Sequence, residues 1–177
     1  GLPEDAYLFL FSFDMNSWIP RKNPEALIRA FRKAFPDPRD TSVGLALKVS
    51  HVDAAKPAWK RLAKLMRDDP RIILFTEEFS RPVVLSLYQQ CDCFVSLHRA
   101  EGFGRGLAEA MLLGLDVVAT GFSGNMDFSD QPGIEQVRYE RVRVGRGEYF
   151  YGDDQYWADP DIEDAAGRMR TRARASR

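Results

Sequence analysis

Apolar and polar positions alternate along this chain in two rhythms. Tyr7 to Phe13, "YLFLFSF", is apolar on both faces, the pattern of a strand buried between helices, and so predicts a parallel sheet. The next segment, "NPEALIRAFRKAF", places Leu27, Ala30, Phe31, Ala34 and Phe35 at helical spacing behind an Asn23 cap and Pro24 in the first turn. The rhythm then repeats. Val43 to Val49 reads as a strand, and Ala54 to Arg67 as a helix with Trp59, Leu62, Ala63 and Met66 on one face. Arg71 to Phe75 is a third strand, followed by a short helix capped by Ser80. Cys93 to Leu97 is a strand, Gly106 to Leu113 a helix and Leu115 to Thr120 a strand. Five strands alternating with four helices predict a Rossmann-like, doubly wound α/β domain.

Beyond Thr120 the rhythm weakens. "IEQVRYERVRV" reads as one or two irregular strands, and a final helix is expected from Asp159 and Pro160, with Ile162, Ala165, Ala166 and Met169 inward. Of the aromatic residues Tyr149, Phe150, Tyr151, Tyr156 and Trp157, most are expected in the core. With no internal repeat and no low-complexity linker, residues 1–177 are read as one domain. The abrupt start and the stop inside a helical pattern suggest a piece of a longer protein.

Composition narrows the function. A net charge of −1 argues against a nucleic-acid binder, so any anion must be gripped locally. Cys91 and Cys93 lie too close together for a sensible bridge; one is expected to be packed and the other half-exposed. No apolar run reaches the roughly 20 residues that span a bilayer, and the amino terminus lacks a signal-peptide layout, so the expected location is cytoplasmic. His51 and His98 are the only histidines and have no zinc-ligand spacing; Asp68–Asp69 reads as a solvated helix end and turn. No metal site is expected.

In open α/β sheets, ligands bind beyond the carboxyl ends of the strands. The loops there are Asp14 to Asn23, Thr76 to Arg81, His98 to Gly104 and Gly121 to Asp127. Arg21 and Lys22 precede one helix and "EGFGRG" precedes another, so positive side chains and free amides can converge on one anion, for which a nucleoside diphosphate is suited. The glycines do not form a dinucleotide fingerprint, because Gly106 falls one place early and the loop follows the fourth strand. No Gly-Lys-Ser/Thr follows to make a Walker A loop.

"RKNPEALIRAF", "CDCFVSLHRAEGFGRGLAEAMLLGLDVVAT" and "GFSGNMDF" together resemble the carboxyl-terminal half of a family-4 retaining glycosyltransferase of the GT-B fold. Glu101 and Glu109 match that family's Glu-x7-Glu motif. The resemblance implies a nucleotide-diphosphate sugar as donor substrate, no cofactor, and a separate amino-terminal acceptor-binding domain that this chain lacks. By the same resemblance Lys22, with Arg21, holds the leaving diphosphate, Glu101 faces the donor sugar and Glu109 the ribose. Gly102, Phe103 and Gly104 lie against sugar and phosphate, with the amides through Leu107 at the helix start. Thr76 and Glu77 fall where the family reads the base. His98 is a donor-site candidate because it follows a strand end. The family's Gly-Arg pair after the first strand has no counterpart in "FSFDMNSWIP", and Arg105 stands where an aliphatic or small residue is usual. Two alternatives stay open: a GT-B-fold nucleotide-sugar epimerase, and a non-catalytic binding module. Peripheral membrane association of a full-length protein also stays open.

Overall fold

The computed structural model describes residues 2–175. Its centre is a six-stranded, all-parallel sheet of β1 (Tyr7–Asp14), β2 (Val43–Ser50), β3 (Ile72–Phe75), β4 (Cys93–Ser96), β5 (Asp116–Thr120) and β6 (Ile134–Val137), in the order β3-β2-β1-β4-β5-β6. The helices are α1 (Ile19–Lys22), α2 (Pro24–Ala34), α3 (Pro57–Met66), α4 (Arg81–Gln89), α5 (Arg105–Leu112) and α6 (Ile162–Ala175). This is the doubly wound α/β class that the alternation predicts.

The double apolar face of β1 explains the layering. Phe9 meets Phe31 of α2 on one side, while Ser12, of opposite parity, meets Tyr88 of α4 on the other. Helix α2 packs against α3 and α6, and α5 lies over β4 and β5. Both cysteines are buried, Cys91 as well as Cys93; the expectation of a half-exposed one fails because, of the Cys91–Cys93 triplet, only Asp92 faces solvent.

The tail departs further from expectation. The stretch "IEQVRYERVRV" supplies two strands, within the expectation, β6 in the main sheet and β7 (Tyr139–Arg143), but β7 pairs antiparallel with a third and unforeseen strand, β8 (Tyr156–Pro160). Asp159 and Pro160 therefore end a strand and do not start the last helix. The cap is Asp161, whose Oδ1 accepts the amides of Glu163 and Asp164 at 2.9 and 3.1 Å. Of the five tail aromatics only Trp157 is core; Tyr149, Phe150, Tyr151 and Tyr156 are exposed. In the two-stranded ribbon β8 buries Trp157, Ala158 and Pro160, and the Arg99 guanidinium lies over the Trp157 ring at 5.1 Å.

Asp69 is also a correction. It is not solvated: only 4% of it is exposed, and the guanidinium of Arg71 donates to both its oxygens at 2.8 Å. The two remaining acceptors of that guanidinium are the carbonyls of Phe35 and Asp37, at 3.0 and 2.8 Å, so the pair locks the end of α2 to the start of β3.

Candidate functional site

Strand order reverses at β1, which lies between β2 and β4. It pairs with β2 over eight register positions but with β4 over only two, Phe9 with Cys93 and Leu10 with Phe94. Toward their carboxyl ends β1 and β4 therefore part, and a cleft of about 520 Å³ opens there. Arg21, Lys22, Glu101, Phe103, Gly104, Leu107 and Glu109 all line it. The sequence had placed these residues on three separate loops and helix starts; the reversal in strand order brings them together.

Helix α1, a single turn unforeseen in the sequence, carries Arg21 and Lys22 to the cleft. It ends at Asn23, whose φ of 53° turns the chain directly into α2. The Asn23 side chain does not cap α2 as expected. Its Nδ2 instead donates to Leu97 O at 3.0 Å and ties α1 to the end of β4. Lys22 Nζ then donates to Glu101 Oε2 at 2.6 Å, and Arg21 Nη1 stands 3.3 Å from the same oxygen while donating to Ala100 O at 2.9 Å. Burial by itself would raise the Glu101 carboxyl's pKa. The Lys22 hydrogen bond and the two cations outweigh that and hold it below the ordinary carboxylate range.

The Glu101 loop is held from below. Its amide donates to Ser123 Oγ at 2.7 Å, and its carbonyl accepts from Gly124 N at 3.0 Å. A Cβ on Gly124 would sit 1.4 Å from Gly102 O, so only glycine lets these two backbones touch. Gly104, at φ +86°, turns the chain into α5. The first helical amide to be satisfied is that of Ala108, bonded to Gly104 O at 3.0 Å, and no side chain caps the helix. The amides of Arg105, Gly106 and Leu107 are thus open donors beside the cleft.

Three candidates are placed elsewhere. His98 is fully buried behind the lining. Its Nε2 faces two acceptors, Phe122 O at 3.2 Å and Asn125 Oδ1 at 3.0 Å, so it carries the proton, and Nδ1 accepts from Ser96 Oγ at 3.0 Å. Burial pushes its pKa down, opposed in part by those hydrogen bonds, and both nitrogens are occupied in bracing the loops rather than offered to a ligand. Gly102 contributes its carbonyl to the Gly124 contact and does not line the cleft. Thr76 is exposed at the end of β3, its amide bonded to Glu77 Oε2 at 3.1 Å, and is outside the lining.

Arg81 was not foreseen. It stands at the start of α4 and holds Glu109 through two contacts, Nη1 to Oε2 at 3.0 Å and Nη2 to Oε1 at 2.8 Å. Its place at the end of the Thr76 loop, just before Pro82, was the available signal. Arg105 lines the same cleft with no carboxylate partner among the described residues. Four cations, Arg21, Lys22, Arg81 and Arg105, thus face two carboxylates, Glu101 and Glu109. Among the described residues no group of three or more His, Cys, Asp or Glu is placed to hold a metal ion, and no helix is long and apolar enough to cross a membrane.

Comparison with solved structures finds the same architecture in GT-B glycosyltransferases. A glycosyltransferase from Rickettsia africae superposes with a TM-score of 0.69 at 19% identity, over 96% of this chain and 38% of that one. WaaG, a glycosyltransferase involved in lipopolysaccharide biosynthesis, gives 0.69 at 19% identity, over 99% and 40%. An α,α-trehalose-phosphate synthase (UDP-forming) from Burkholderia xenovorans gives 0.64 at 14%, over 96% and 38%. The chain thus spans about two fifths of the length of these proteins, and at such identities the likeness establishes the fold. No curated protein sequence matches it. The model of the family described as glycosyl transferases group 1 matches residues 2–131, which takes in the sheet through β5 and every cleft residue named above. The chain belongs to the group 1 glycosyl transferases.

Proposed function

We propose that this chain is the donor-binding half of a retaining, family-4-type glycosyltransferase that takes a hexosyl group from a nucleotide-diphosphate sugar. The observation that carries the reading is the charge arrangement of the cleft. Lys22 and Arg21 already face one carboxylate, the open amides of α5 line the same cleft, and Arg105 has no carboxylate partner among the described residues. A diphosphate supplies the missing negative charge.

When the glycosidic C1–O bond breaks, its electron pair goes to the β-phosphate oxygen. Donors already in place stabilise that developing charge more than they stabilise the intact donor. Lys22, Arg21, Arg105 and the α5 amides take this role. Glu101, anchored by Lys22, faces the sugar hydroxyls, and Glu109, fixed by Arg81, keeps lone pairs on both oxygens for the ribose hydroxyls. Arg105 thereby takes the part for which the sequence offered no residue in a Gly-Arg pair. Side chains provide the counter-charge, so this reading assigns the step no cofactor and no metal. The acceptor comes from another domain, and the chain by itself binds a nucleoside diphosphate weakly and transfers nothing.

Calorimetry with UDP, GDP, ADP and their sugars, with and without EDTA, tests this. Binding that survives EDTA and weakens about tenfold in Glu109→Ala supports it, for the loss of roughly one charge-assisted hydrogen bond. No binding at millimolar nucleotide, or unchanged binding by Glu109→Ala, would sink the assignment.

A further inference from the structure

A second hollow of about 240 Å³ adjoins the main cleft and shares Ser12 and Val84 with it. Its floor comes from the last rungs of β1 and β2. On the side of the sheet that faces Tyr88, β1 presents Leu8, Leu10, Ser12 and Asp14, and β2, in register, Gly44, Ala46, Lys48 and Ser50. An apolar face thus turns polar over its two final rungs, Ser12 beside Lys48 and Asp14 beside Ser50, where the strands open toward the ligand end of the sheet.

Lys48 is the unusual member. It is 4% exposed, yet no carboxylate pairs with it among the described residues. The one carboxylate lining the hollow, that of Asp14, turns Oδ1 to His51 Nδ1 at 3.0 Å and to the Asn16 amide at 2.8 Å. The ammonium keeps only Ser50 Oγ at 3.1 Å and the ring of Phe79, 5.2 Å away. Buried ammonium groups are normally paired or hydrogen-bonded through all their donors. Lys48 therefore has donors left over, at the base of a hollow walled by a flat aromatic ring.

We propose that Lys48 selects the base of the donor nucleotide, favouring a keto base, uracil or guanine, over adenine; the proposal rests on the nucleotide-sugar reading of the main cleft. A nucleobase stacks on Phe79 and turns an edge to the floor. A carbonyl oxygen on that edge accepts from Lys48, as guanine O6 accepts from lysine, whereas adenine presents its amino donor at the equivalent place. The Ser50 hydroxyl serves a neighbouring ring atom as donor or acceptor. A phosphate is the poorer occupant: Arg105, without a carboxylate partner among the described residues, and the open amides lie in the main cleft at α5, and an aromatic wall offers a phosphate nothing.

Calorimetry of the intact chain with UDP, GDP and ADP, on wild type and Lys48→Met, tests this. UDP or GDP is expected to bind wild type about tenfold or more tighter than ADP, and the tighter of the two names the base. Lys48→Met replaces a buried ammonium by an apolar chain of similar shape. It should fold, as near-ultraviolet circular dichroism will report, and bind all three nucleotides within about threefold of one another. ADP binding wild type as tightly as UDP and GDP overturns the base selection and leaves the diphosphate site standing; so does a Lys48→Met protein that keeps the preference. Absence of binding by all three overturns the main-cleft reading as well. The wild-type ranking needs no variant to fold.

Discussion

Asp69 and Glu101 are both carboxylates held by basic side chains in partly or fully buried surroundings, yet they do opposite work. Around Asp69 four of the five guanidinium donors of Arg71 end on acceptors of the same protein, two carboxylate contacts and two backbone carbonyls, with the Phe31 ring 4.9 Å beneath the guanidinium. Around Glu101 the circuit is open: Lys22 and Arg21 share one oxygen, the helix start beside them is uncapped, and the group faces the cleft. A closed set of charges fastens secondary structure. An open set is what the proposed donor site requires.

The largest effect is expected of Arg71→Ala, which takes both short contacts from a buried carboxylate and leaves it, among the described residues, only the cation of Arg32, with Nε 3.6 Å away. It should cost about 3–5 kcal/mol of stability in denaturant unfolding, while the folded fraction keeps its nucleotide affinity. Gly124→Ala comes next, because the added Cβ overlaps the Gly102 carbonyl. An unfolding loss of about 1–3 kcal/mol is expected. Nucleotide affinity should fall with it, since the Glu101 loop must move; unchanged affinity would uncouple the loops from the site.

Lys22→Ala sharpens the other side. Glu101 keeps Arg21, so stability should fall by only about 1 kcal/mol, whereas affinity for a nucleoside diphosphate should drop about tenfold and affinity for the bare nucleoside should not. A variant as unstable as Arg71→Ala with full affinity would make the Glu101 cluster a fastening too.

The smallest effect is on pH. His98 has a folded pKa below the ordinary 6.5, so the unfolded chain takes up its proton first. Its contribution is therefore complete above pH 6.5 and is lost as pH falls from there toward the folded value. Glu101 is depressed from 4.5, so its contribution holds above pH 4.5 and is lost as pH falls through its own lower folded pKa. Unfolding midpoints measured from pH 8 to 4 should show the upper loss in wild type and a flatter profile in His98→Gln. A flat wild-type profile between pH 7 and 5 would contradict the neutral, buried histidine.

How legible this was differs along the chain. The five strands and four helices through Thr120 were readable because burial on both faces forces an apolar code on the inner strands, edge strand β3 keeps an apolar run although Leu74 is exposed, and packing on the sheet forces a 3.6-residue code on the helices. The small β7–β8 ribbon was not, since it buries only Trp157, Ala158 and Pro160, which do not alternate, and so imposes almost no periodicity on Tyr149 to Tyr156. The gathering of Arg21, Lys22, Glu101 and Glu109 was expected from the family pattern, but Arg81 escaped because an arginine at a helix start looks the same whether it is solvated or bidentate. Asp69 escaped for the same reason.

By itself, then, the sequence determined the class of fold, the ligand end of the sheet and most of the groups at the cleft, because these follow from local periodicity and from short contiguous motifs. Tertiary structure alone decided which charges are closed and which are left open, Asp69 against Glu101, and Lys48 without a carboxylate partner among the described residues. Pairing is a property of distance between residues far apart in the chain, and no local pattern encodes it.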